Sequence, residues 1–152
     1  MNWPDVTAVL EALEQQAVCY RELADLAARQ HRHVRNEGAE DERALLDVLT
    51  ERQAVMDRVA ALEPTLGPVR QDWPTFAETL SDADRTRAEA LLGEVRELLT
   101  KITEGDRDDT LVLQQRKLST GQALRATKVK TAAGRHYAGN AYARQKSVDF
   151  KG

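Results

Sequence analysis

The chain has 152 residues and a mass of 17.0 kDa, enough for one domain and too little for two independent cores. Charged residues make up 31 % and aromatics 5 %, with 8 Gly and 4 Pro, a balance that fits long amphipathic helices and argues against a β-rich fold. The net charge of −3 conceals a split: residues 1–115 carry 24 acidic and 13 basic side chains, net −11, whereas residues 116–152 carry Asp149 alone against nine bases, net +8.

Trp3, Pro4 and Asp5 stand where a signal peptide would need a basic start and an apolar run, and no stretch of about 18 apolar residues follows. A lone Cys19 cannot form an internal disulfide and fits a reducing compartment. These features lead to the expectation of a soluble, cytoplasmic protein with no membrane span.

The first segment shows an unbroken 3/4 spacing through Trp3, Val6, Leu10, Leu13, Ala17, Tyr20, Ala24, Ala27, His31 and Val34, which predicts a helix over about 3–37. Val9, Val18, Leu23 and Leu26 widen the stripe to serve two neighbours. Asn2 or Asp5 can cap its start, and Asn36 with Gly38 supplies residues that tolerate left-handed dihedrals at its end. A second helix is predicted over about 40–63, with Glu40, Asp41 and Glu42 at the positive end of its dipole and a seam of Leu45, Val48, Arg52, Val55, Val59 and Leu62. It is expected to pack antiparallel on the first.

Pro64, Gly67, Pro68 and Pro74 forbid one continuous helix over 64–80, so this stretch reads as the main loop. Trp73 within it is expected to form a clasp with Phe76 and Leu80 over the end of the bundle. Ser81 with Asp82 and Asp84 marks the start of a third, long helix over about 82–133. Its stripe is strong through Ala88, Leu91, Leu92, Val95, Leu98, Leu99 and Ile102, breaks at Glu104–Asp109, and resumes weakly with Leu111, Val112, Leu113, Leu118, Leu124 and Val129. Such a helix would be roughly 75 Å long at about 1.5 Å per residue. Its C-terminal part must then overhang the hairpin, pair with another molecule, or stay partly unfolded. Residues 134–152, rich in Gly, Ala, Asn and bases with isolated Tyr137, Tyr142 and Phe150, read as a flexible basic tail. The predicted fold is therefore an all-α, antiparallel three-helix, coiled-coil-like bundle over 1–133 with a basic arm.

No arrangement in the sequence points to catalysis or to a cofactor. His31 and His33 are two residues apart, about 200° around a helix, which keeps them from one metal; a solvated His33 and a polar seam position for His31 follow. Asp106, Asp108 and Asp109 lack the pattern of a calcium loop, because Leu111 stands where Gly is needed and Lys117 where Glu is needed. Gly121, Gly134 and Gly139 are too scattered to cradle phosphate. Cys19, beside the seam, reads as a small buried hydrophobe. The nine bases of 116–152 with two tyrosines fit a nucleic-acid backbone or a solvated tail, while the strongly acidic remainder would repel the same polyanion. Amphipathic residues without a complete partner surface favour a helix from another protein.

Val9–Glu14 through Tyr20, Glu22 and Leu23, the Glu51–Met56 stretch, Leu91–Leu99 opening a long helix, and the ending Tyr137, Tyr142, Ser147–Gly152 together resemble the FlgN-like flagellar type III export chaperones. The resemblance spans nearly the whole chain. It implies a non-enzymatic cytosolic protein whose helical body supports a C-terminal segment that captures hook-associated flagellar subunits. By position it nominates Leu111, Leu113, Leu118, Leu124 and Val129, with Tyr137, Tyr142 and Phe150 beyond them. The export apparatus and a second copy of the chain are further partners in this reading. A nucleic-acid-binding helical protein using 116–152 and a structural coiled-coil oligomer remain as alternatives.

Overall fold

The computed structural model describes residues 2–36 and 38–116, and among them every regular element is helical. Five helices follow one another: α1 Val6–Arg35, α2 Ala39–Ala60, α3 Glu63–Gln71, α4 Trp73–Glu78 and α5 Asp82–Gln115. The all-α class is as expected, but the expected three helices are joined by two more. Residues 134–152, and the part of the predicted third helix after 116, lie outside the described residues.

The stretch read as a loop over 64–80 forms α3 and α4 instead. Leu62, Leu66, Val69, Trp73, Phe76 and Leu80 follow one another at spacings of four and three, so a single face stays apolar across the break at Asp72. Pro64 and Pro74 fall in first turns, where the missing N–H has no partner to lose. Pro68 lies inside α3 and forgoes only the one bond to Pro64, which the burial of Leu66 and Val69 on either side of it outweighs. The C-terminal end of α4 is tied to α5 by Arg85, whose guanidinium donates to the Ala77 carbonyl at 2.8 and 3.2 Å.

Helix α1 is the central element, with α2 and α5 packed along it and α3 across its beginning. The direction of each neighbour follows from its ion pairs. Glu14 meets Arg87 and Arg21 meets Glu94, so α5 runs alongside α1 in the same sense, whereas Glu22 meets Arg58 and Arg29 meets Glu51, so α2 runs in the opposite sense. These exposed pairs fix register more than stability. The Arg21 side chain, donating at 2.7 Å to both oxygens, holds the Glu94 carboxyl below the usual carboxylate range. The Ser81 hydroxyl caps α5 as expected, accepting from the Asp84 amide at 3.1 Å. Asp5 precedes α1 without a side-chain cap bond, and the α1–α2 turn uses extended backbone at Asn36 and Gly38 in place of the expected left-handed residue.

The buried face of α1 keeps most of the expected stripe: Leu10, Leu13, Ala17, Tyr20 and Val34 of the seam are buried, as are Val9, Leu23 and Leu26 beside it. Val18, expected to widen the stripe, is exposed; Ala24, Ala27 and His31 are at intermediate exposure, and Gln16 and Gln30 are buried where no inward residue was expected. A helix sandwiched between two partners buries a wedge wider than one seam, and two glutamines fall inside it. The apolar core has three parts along the axis. At the base, Val9–Leu13 meets Leu66, Val69, Trp73, Phe76, Leu80 and Ala88, with Trp3 packed edge-on to Phe76 at 5.5 Å. The expected clasp of Trp73, Phe76 and Leu80 is therefore formed. The middle gathers Ala17–Leu26, Val48–Val59 and Val95–Ile102, with Cys19 buried as a small hydrophobe. The far end holds only Val34, Leu45 and Leu49, against which Val112 and Leu113 pack half-buried.

Tyr20 is fully buried in the middle cluster, and its hydroxyl is the one buried side-chain polar atom among the described residues without a hydrogen-bond partner. Burial pushes its phenol up to about 12, with the Arg70 guanidinium pulling the other way. The unfolded chain would ionise Tyr20 near pH ~10. A folded pKa raised above that value gives stability that is complete below pH ~10 and lost as pH rises towards 12. The Tyr20→Phe protein should thus be as stable as the parent or more so at neutral pH. Its unfolding free energy, from urea titrations, should also fall less between pH ~10 and ~12, by on the order of 2 kcal/mol. Parallel alkaline losses in the two proteins would refute this.

Candidate functional site at the far end of the bundle

The break in the α5 stripe at Glu104–Asp109 is not a break in the helix, which passes through Gly105 without interruption. The spacing Ala88, Leu92, Val95, Leu99, Ile102, Asp106, Asp109, Leu113 keeps the same 4/3 rhythm, so two aspartates are carried into seam positions. Both are buried, Asp109 to 2 % exposure. Arg52 occupies a seam position of α2, and Gln30 occupies one on the true buried face of α1 at 3 % exposure. Three helices thereby place polar groups at one level.

The groups satisfy one another. Arg52 donates to both oxygens of Asp106 at 2.7 and 2.8 Å, a forked pair, and to Gln30 Oε1 at 2.6 Å. Gln30 Nε2 donates to Asp106 Oδ1 at 3.1 Å and to Asp109 Oδ2 at 3.0 Å. This fixes the amide orientation, with its oxygen on the guanidinium and its nitrogen on the carboxylates. Arg35 donates to Asp109 Oδ1 at 3.1 Å. His31 Nδ1 is 2.8 Å from that oxygen and 2.9 Å from the Arg35 guanidinium. One ring nitrogen cannot both donate to the carboxylate and accept from arginine, so the carboxylate assigns the proton to Nδ1 and leaves Arg35 to Asp109. In this layer the two carboxylates of Asp106 and Asp109 face the two guanidinium groups of Arg52 and Arg35.

Just beyond, Arg116 donates to the carbonyls of Val34 and Arg35, the latter at 3.1 Å. It closes two of the carbonyls that the end of α1 leaves without partners. His33 Nδ1 lies 3.1 Å from Asp41 and ties α1 to the start of α2, so His33 is half-buried and partnered, where a solvated side chain was expected.

Of the nominated partner-binding residues, Leu111 stands out of α5 with 54 % of its surface exposed. Leu113 does not, because it rests on the cluster of Val34, Leu45 and Leu49; it already has an internal partner surface. Nor does α5 overhang the hairpin through Gln115, since Arg116 is still level with the end of α1. Leu118, Leu124, Val129, Tyr137, Tyr142 and Phe150 lie outside the described residues. Gln30, Asp106 and Asp109 were missed as a group, although unbroken 4/3 spacing through Ile102 and Asp106 with Arg52 in the opposite seam was the signal that could have found them.

Among the described residues, no group of His, Cys, Asp and Glu is placed to hold a metal ion, and no helix is long and apolar enough to cross a membrane. Comparison with protein-family models, curated proteins and solved structures finds no match.

Proposed function

We propose that the chain is a non-enzymatic export chaperone that holds a hook-associated flagellar subunit through the segment beginning at Leu111, with the helical body as its rigid mount. The observation that carries this reading is Leu111, more than half exposed at the end of a long, well-packed helix. It leads directly into a sequence in which Leu118, Leu124 and Val129 are isolated apolar residues among bases. Such apolar groups are suited to burial against a client helix. The polar layer supports a mounting role as well, because its carboxylates are engaged by donors of the bundle itself. The proposed binding set within α5 reduces to Leu111, since Leu113 is held by the hairpin.

Leu118→Asp with Leu124→Asp should weaken binding to a hook-associated subunit on the order of a hundredfold or more, each leucine contributing about 1.5–3 kcal/mol when buried. Helical circular dichroism should stay unchanged. Neutralising Lys128 and Lys130 should produce a smaller effect that shrinks with added salt. If the lysine changes remove the main binding activity and the leucine changes do not, the nucleic-acid reading wins. Sedimentation that shows no monomer would favour the structural oligomer.

A further inference from the structure

We infer that the buried polar layer is a parting line, along which α5 from about Thr103 to Gln115 lifts off the α1–α2 hairpin as a unit while the rest of the bundle stays folded. Three independent observations lead there.

The first is the distribution of apolar burial. Among the described residues, twelve buried residues make up the middle cluster, Val48 included, and eleven the base, whereas the separate cluster at the far end holds Val34, Leu45 and Leu49. Lifting the end of α5 uncovers these three and frees Val112 and Leu113, a small fraction of the core. The second is the character of the layer. Arg52, Asp106 and Asp109 gave up hydration on folding, and a buried ion pair returns little net stability over that loss. When the helix lifts, all three regain water, so the layer resists opening far less than an apolar layer of the same size.

The third observation is Gly105, one residue before Asp106. A glycine inside a helix weakens it by about 0.5–1 kcal/mol relative to alanine. Here nothing in the fold requires it: its φ lies outside the left-handed region, and a Cβ added there would meet no atom within 4 Å. The residue lowers helix stability at the edge of the polar layer. The contacts of His31 and Arg35 with Asp109, and of Arg116 with the end of α1, act as the latches of the closed form. Opening brings Val112 and Leu113 out beside Leu111. Use of that enlarged surface for a client rests on the chaperone reading, whereas the opening itself does not.

Hydrogen exchange of the full chain, without client, reads the opening directly. Amides of 103–115 should exchange at least about tenfold faster than those of 88–102, beyond the few residues frayed at the terminus. Gly105→Ala should slow exchange over 103–115 by about fivefold and leave 88–102 unchanged. Equal protection of the two stretches, or an equal slowing of both by Gly105→Ala, would overturn the proposal. Because no client is present, either result leaves the binding test above unaffected, and a failed binding test leaves the exchange pattern unaffected.

Discussion

Phe76→Ala is expected to destabilise the protein by about 3–5 kcal/mol, the range for removing a fully buried aromatic ring. Phe76 is the hub of the base cluster, with no exposed surface, Trp3 edge-on at 5.5 Å and Trp73 at 5.8 Å. The hole left between two indoles cannot close without moving α4, whose six residues are held by little besides Trp73, Phe76 and Ala77. Urea unfolding followed by tryptophan fluorescence measures the loss, because both tryptophans of the chain line this cluster. A loss below about 1 kcal/mol would mean that α3 and α4 do not form the base as described.

Arg52→Leu is expected to split unfolding into two steps. The substitution leaves Asp106 buried beside Gln30 without its guanidinium, a penalty of about 3–5 kcal/mol if the carboxylate stayed in place. The small cluster of Val34, Leu45 and Leu49 cannot hold it there. The end of α5 should open first, seen as a fall in far-UV circular dichroism that precedes the change in tryptophan fluorescence, whereas the parent protein's two signals lie closer together. Replacing the layer as a whole, with Gln30→Leu, Arg52→Met, Asp106→Leu and Asp109→Leu, should merge the two signals. It should also raise stability by about 1–4 kcal/mol, as a well-packed apolar layer does in place of buried ions. A single transition for Arg52→Leu, shifted equally by both probes, would contradict the separate opening of this end.

The sequence made the long helices legible because their signals are local. Ser81 and the acids after it announce α5, and the apolar period of Leu45–Val59 announces α2, whatever those helices touch. The α1 face was legible through Leu10, Leu13, Ala17 and Tyr20 but not in its later half, where Ala24, Ala27 and His31 are only partly covered, since a helix between two partners has residues on more than one candidate seam. Only contact with α2 and α5 decides between His31 and Gln30 as the inward residue. Prolines at 64, 68 and 74 masked the steady spacing of Leu66, Val69, Trp73 and Phe76, a case of packing overriding local propensity. The polar layer stayed hidden for a related reason. Arg52 alone stood in a predicted seam, while Asp106, Asp109 and Gln30 carried no inward signal of their own, and the burial of the four makes sense only once all of them are brought together.

The Arg116 guanidinium reaches the last carbonyls of α1 across 82 positions of sequence. A growing chain therefore makes α1 long before the residue that closes its C-terminal end. Glu14 and Arg21 likewise wait for partners 73 positions downstream, while α2 arrives within the following turn. The order of synthesis thus favours a provisional α1–α2 hairpin with the α5-facing side of α1 bare, including Gln30. That amide keeps the side from being wholly apolar during the wait, which lowers its tendency to stick to other nascent chains. Completion is then a docking event late in synthesis, set by loop closure through α3 and α4 rather than by helix formation.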